Sequence, residues 1–180
     1  RKEYNNFPMR PLGGLAPNAP TVSATTNPDG TNSWYKGNVT IRITAGADAT
    51  SGAYQLKYST NGGANYTTET LTSKNVTIQA EGTTKVIAYT IDRAGHQSAA
   101  AGEATVKIDK TNPTAALTLG TIGTTTVVAT GTGTDANGIA SYRYDYKLNS
   151  ATNWTNGTAK TATSHTYTGL KDGTKYDFRV

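Results

Sequence analysis

From Thr21 onward, apolar and polar residues alternate in short runs, broken by turn-forming residues about every ten positions. That pattern belongs to antiparallel strands with one buried face. In "NVTIRITA", Val39, Ile41, Ile43 and Ala45 share one face, with Thr40, Arg42 and Thr44 on the other. "AYQLKYS" repeats the alternation and points Tyr54, Leu56 and Tyr58 inward. "TNGG" (Thr60 to Gly63) then supplies the Asn-Gly chemistry of a hairpin leading to the segment around Tyr66. "NVTIQA" with Val76 and Ile78, "KVIAYTI" with Ile87, Tyr89 and Ile91, and "ATVKID" with Val106 and Ile108 bring the block to about seven strands, enough for a sandwich. No helical period of useful length appears.

A second block begins at "DKTNPTAALTL" and reads as strands at Leu117/Leu119, Val127/Ala129, Tyr142/Tyr144/Tyr146, His165/Tyr167 and Tyr176/Phe178/Val180. The expected fold is all-β, two tandem antiparallel sandwiches, joined around Pro113 by a short proline-bearing linker that restricts the hinge. Ahead of both, residues 1–19 carry Pro8, Pro11, Pro17 and Gly13-Gly14, with Pro20 just beyond, and cannot hold a regular ladder. They read as an extended arm or linker whose Tyr4, Phe7, Met9 and Leu12 pack on something else. The opening Arg1-Lys2-Glu3 has no Met and no apolar core of a leader, which suggests a mature product or an excerpt of a longer chain. Apolar runs fall far short of the roughly 20 residues a membrane helix needs, so no membrane insertion is expected.

Several motifs occur in one order: "WY" at Trp34-Tyr35, "DATSG", "YSTNGG", "EGT", "IDRAG" and "IDKTNP". Over 20–112 the chain resembles the bacterial Ig-like repeat of secreted glycoside hydrolases and surface proteins. His96 stands where that family usually has Asn, and Asn61 where Asp is common. The resemblance implies that Trp34 packs at the sandwich edge and that Tyr58 belongs to the framework. "TYTGLKDGTKYDFRV" resembles the end of a fibronectin type III domain. It implies such a sandwich over 113–180, with Leu170 as the corner leucine and Tyr176 as the corner tyrosine, its hydroxyl bonded to the backbone near Leu170. The B-strand tryptophan of that family is replaced by Val127 or Val128. The last family strand is also missing, which leaves Lys175 to Val180 without a neighbour. Truncation, mobility or a strand donated by a neighbouring subunit would each account for this. The segment Arg1 to Leu15 is the spare donor, though Pro8 and Pro11 make it a poor strand.

Composition adds exclusions. With no cysteine, there is no disulfide framework and no thiolate metal site. Seventeen Lys and Arg against 12 Asp and Glu give +5. These charges alternate with apolar residues or with Asp145, Asp172 and Asp177, as on the solvated face of a sheet, so no nucleic-acid partner is expected. His96 and His165 fall in different blocks, no serine sits in a nucleophile elbow, and the acids are scattered, so no enzyme is expected.

Two candidate sites remain. Asp48, Asp92 and Asp109 all lie at strand ends, where clustered carboxylates suit Ca2+. Such residues also cap turns through their own backbone. "GTDANG" at Asp135 lacks the spacing of a full calcium loop. Trp154, in the polar run "SATNWTNGT", is the candidate platform for a sugar ring. The N-x-T triplets at Asn38, Asn65, Asn75, Asn153 and Asn156 are matched by chance in so Thr-rich a chain. The expected function is a non-catalytic stalk or filament segment of a bacterial extracellular or cell-surface protein, without a cofactor unless Ca2+ is bound. Its partners would be neighbouring domains or subunits. The alternative is an accessory carbohydrate-binding module of a secreted polysaccharide-degrading enzyme, with polysaccharide as partner.

Overall fold

The computed structural model describes residues 14–180. It contains strands, turns and one 3-10 turn at Thr31–Ser33, and divides into two compact units, one running to Lys110 and the other covering Thr111–Val180.

In the first unit β1 (Thr21–Ala24), β3 (Val39–Thr44) and β6 (Ser73–Ile78) form one sheet in the order β1-β3-β6. The facing sheet has the order β2-β8-β7-β4-β5, from β2 (Trp34–Tyr35), β4 (Ala53–Ser59), β5 (Thr67–Glu69), β7 (Gly82–Asp92) and β8 (Gly102–Ile108). All pairings are antiparallel except β2 with β8, where Trp34 pairs Lys107. Val39, Ile41, Ile43 and Ile78 from one sheet meet Leu56, Tyr58, Val86, Ala88, Val106 and Ile108 from the other, and these ten side chains make the core.

Two inward assignments read from the alternation are corrected. Tyr54 is exposed, because a bulge sets Ala53 opposite Asp92 and Gln55 opposite Ile91, leaving Tyr54 as the extra residue. In β7 the buried set is Val86, Ala88 and Thr90, while Ile87, Tyr89 and Ile91 are half-buried on the outer face. Antiparallel partners share a face, and the register places Leu56 opposite Thr90 and Tyr58 opposite Ala88. The two large β4 side chains therefore bring the small residues of β7 inside. Thr90 is tolerated there because its hydroxyl accepts from Gly46 N at 2.8 Å.

Pro17 and Pro20 are buried against the first unit, and Asn18 N donates to Ala47 O at 2.9 Å. Residues 1–13, with the aromatic and Met positions of the arm and most of the candidate donor segment, lie outside the described residues.

In the second unit β9 (Thr114–Ile122), β10 (Val127–Thr134) and β12 (Ser164–Tyr167) form a sheet in the order β12-β10-β9. β11 (Asp145–Leu148) pairs with β13 (Tyr176–Arg179) in a second. Val127, Ala129, Tyr144, Tyr167 and Leu170 form its buried core, with Leu117, Tyr142, Tyr146, Tyr176, Phe178 and Val180 packed around them. Leu119 shares the inward parity of Leu117 but is 42% exposed. A bulge then places Ile122 opposite Val127 while Leu119 stays opposite Ala129, so one extra β9 residue turns Ile122 to the inward side as well.

Candidate functional site

The acidic candidates separate into a pair and an outlier. Asp48 accepts hydrogen bonds from Thr50 N (3.1 Å) and Oγ1 (2.8 Å), Ser51 N (3.0 Å) and Oγ (2.9 Å), and Gly52 N (2.8 Å). Led by the Thr50 N–H, these donors hold its carboxyl far below the usual carboxylate range. Arg93 N donates to Gly52 O at 3.3 Å, which ties the two loops together, and Ser51 helps to favour the charged form of Asp92. Asp92 is buried and accepts His96 N at 2.8 Å, with His96 Nδ1 at 3.1 Å. Burial alone would raise its pKa, but the bonds from His96, with Ser51 nearby, outweigh that and lower it. Asp109 follows the end of β8 that pairs with Gly82, the opposite end of the 11-residue β7 from Asp92. At roughly 3.3 Å per residue, that is on the order of 30 Å away. Among the described residues no three His, Asp or Glu side chains gather as a metal group would require. Chemically, the Asp48–Ser51–Asp92 cluster presents oxygens that N–H and O–H donors already face, so it acts as a clasp for two turns.

Trp154 is half-buried, with the Arg179 guanidinium 4.2 Å from its ring centre and Lys147 Nζ at 5.5 Å. Arg179 reaches on to Asp145 at 2.9 Å. Asp145 is buried and also accepts from Arg143 Nε (3.0 Å), Arg143 Nη2 (2.9 Å) and Gly157 N (3.0 Å). Desolvation would raise the Asp145 pKa, but the Arg143, Gly157 and Arg179 bonds lower it on balance. Lys147 pairs with Asp177 at 3.1 Å, and Asn149 Nδ2 donates to Asp177 at 2.8 Å. The ring is thus one rung of an ionic ladder across β11 and β13. Sequence reading singled out Trp154 but missed Asp145, the hub of the ladder. The alternating Arg143-x-Asp145-x-Lys147 run was a visible signal, yet nothing local says that Arg179 returns to it across the sheet.

Tyr58 is buried, and its hydroxyl donates to Glu69 at 2.6 Å; burial and then Glu69 push its pKa up. Trp34 is half-buried at the β2 edge with Lys107 Nζ 5.4 Å from its ring centre. Leu170 is buried, and its N–H donates to Thr125 O. The Tyr176 hydroxyl accepts from Lys171 N at 3.1 Å. His96 faces Asp92 in the first unit, and His165 faces Lys160 in the second.

No family model matches the chain, and no curated protein matches its sequence. Solved structures do resemble it. Domains A168-A170 of titin align over 94% of this chain and 55% of that one, with a TM-score of 0.52 at 13% identity. The FN1-FN3 domains of chicken CNTN1 align over 92% and 62%, with a TM-score of 0.37 at 14% identity. The Clostridium thermocellum CbhA fibronectin(III)-like modules align over 88% and 91%, with a TM-score of 0.37 at 13% identity. The chain therefore spans less than two thirds of the titin and CNTN1 structures. At these identities the likeness shows the fold alone, and the titin alignment carries it: all-β sandwich domains. Such folds host many functions, so function has to be argued from the residues themselves.

Proposed function

We propose that this chain is a non-catalytic spacer: two β-sandwich modules in series that hold neighbouring parts of a bacterial extracellular or surface protein apart. One observation carries the reading. The side chains with chemical potential are engaged in closing their own module: Asp48 and Asp92 in the turn clasp, Asp145 and Trp154 in the ionic ladder, Tyr176 at its corner. A module built this way resists extension through laterally bonded strands.

Mechanical unfolding of the chain held by its two ends tests the proposal. Two separate rupture events are expected, one for each unit. A chain that extends smoothly at the force that straightens an unfolded polypeptide would overturn the spacer reading, as would turnover of a polysaccharide by the purified chain.

A further inference from the structure

The sequence holds five Asx-Gly pairs: Asp29-Gly30, Asn61-Gly62, Asn137-Gly138, Asn156-Gly157 and Asp172-Gly173. At such a pair the glycine nitrogen can attack the carboxyl or carboxamide carbon of the residue before it, because glycine has no side chain to hinder the approach. The fold turns four of these nitrogens elsewhere. Gly30 N donates to Trp34 O at 2.9 Å, Gly62 N to Lys85 O at 2.9 Å and Gly138 N to Asp135 O at 3.2 Å. Gly157 N donates to Asp145 Oδ1 at 3.0 Å. Two of the side chains are held back as well: Asp29 Oδ1 accepts Lys36 N, and Asn61 Oδ1 accepts Ser59 Oγ and Asn65 N. Asp172-Gly173 differs. Gly173 N donates to Oδ1 of Asp172 itself at 3.0 Å, so the nucleophile already rests against the carboxyl it has to attack. The turn produces this contact. Thr174 N closes on Lys171 O at 3.3 Å, and Gly173 supplies the positive φ, 68°, that the third position of such a turn requires. Asp172 and Gly173 are both exposed, so water reaches the site.

We propose that Asp172 is a site of spontaneous isoaspartate formation in the folded chain. Gly173 N bonds to Cγ of the protonated Asp172 carboxyl, the Cγ–OH bond breaks, and the hydroxyl leaves with the proton of the nitrogen as water. The product is a five-membered succinimide. Water then adds to one of its two carbonyls. Cleavage between the nitrogen and Cγ restores aspartate. Cleavage between the nitrogen and the main-chain carbon of Asp172 leaves isoaspartate, in which the chain runs through Cβ and Cγ and the α-carboxylate is free. One water is released and one consumed, with no change of oxidation state. The added main-chain carbon falls between Lys171, whose N–H donates to Tyr176 Oη at 3.1 Å, and Tyr176 itself. It lengthens the loop that joins Leu170 to Tyr176, both packed in the second core, and so loosens the corner of that unit.

The test ages the full chain at physiological temperature, native in one sample and unfolded in guanidinium chloride in the other. Isoaspartate is then mapped in its peptides with an isoaspartyl methyltransferase and a labelled methyl donor, which marks the free α-carboxylate. Asp172 should convert in the folded chain at a rate no lower than in the unfolded one. Folding should slow the other four pairs by about tenfold or more, because each must first break the hydrogen bond of its glycine nitrogen. Asp172→Ala, at an exposed position, should remove the label from the corner peptide and leave the melting of the fresh chain unchanged. On ageing, the second unit's transition should fall in the original chain and hold in the Ala variant. An Asp172 slowed by folding as much as the other pairs overturns the proposal. So does a native chain in which one of those four reacts at its unfolded rate, or an aged Ala variant whose second transition falls equally far.

Discussion

Lys160 Nζ lies 2.6 Å from His165 Nδ1, so a cation's N–H points at the imidazole lone pair. The His165 ring is half-buried, 5.1 Å from the Tyr144 ring and 4.5 Å from that of Tyr167. Burial first and the Lys160 charge second hold its pKa below the ordinary 6.5. As pH falls through 6.5, the unfolded chain takes up this proton while the folded one still refuses it. The unfolded state then holds more protons, so the second unit loses stability as pH drops below 6.5 and is indifferent above it. Thermal melts between pH 8 and pH 5 should show the second transition moving down. His165→Gln should flatten that dependence; an equally steep profile in the variant would assign the proton elsewhere.

The corner of the second unit gives a smaller, local effect. Tyr176 Oη accepts the Lys171 N–H at 3.1 Å, and the ring packs against the core. Tyr176→Phe keeps the ring and removes the acceptor. The second unit should lose about 0.5–1.5 kcal/mol, the net value of a typical hydrogen bond, in urea unfolding. The first unit's transition should not move.

Packing in the first unit is tested from β7. Ala88 is fully buried and sits directly opposite Tyr58. Ala88→Leu forces extra methylenes into that contact and should cost about 1–3 kcal/mol. If Ile87 faced the core instead, the same change would be nearly silent.

That face of β7 marks the limit of what the pattern carries. "KVIAYTI" is apolar at both parities, so alternation alone favours the bulkier Ile87, Tyr89 and Ile91. The choice is made by the partner strand, where Leu56 and Tyr58 already fill the interior. β3 was legible because Thr40, Arg42 and Thr44 are polar and leave one possible face. The Tyr54 bulge was not, since an inserted residue has no hydropathy signature. At the site level, Asp48 and Asp92 were legible as strand-end acids, and the clasp of their turns through Gly52 and Arg93 was not, because it joins loops about forty residues apart.

For that clasp, calcium is the discriminating reagent. A cation that bound the folded first unit alone would raise its melting temperature by mass action. The oxygens of Asp48 face five donor groups from Thr50, Ser51 and Gly52, and Asp92 faces His96. Bringing Ca2+ in would break those bonds. The melting curve in millimolar Ca2+ should overlay the curve in chelator, and a clear rise would show that the turns rearrange to bind the ion.

The chain just before β1 rests on Gly46. A Cβ added to Gly46 would lie 2.1 Å from Asn18 O and 2.5 Å from Ala19 O, both main-chain atoms that cannot rotate away. The same stretch is fixed by the Asn18 N bond to Ala47 O and by the burial of Pro17 and Pro20. Gly46→Ala must therefore push 17–20 off the sandwich or distort the turn after β3. The expected cost to the first unit is about 1–3 kcal/mol, the usual range for forcing atoms into a packed site. Deleting 1–19 separates this from an intrinsic effect of alanine in the turn. In the shortened chain the clash has no partner, and Gly46→Ala should become close to neutral, so the two changes are strongly non-additive. Equal costs in both backgrounds would mean that the segment before β1 does not rest on Gly46 in solution.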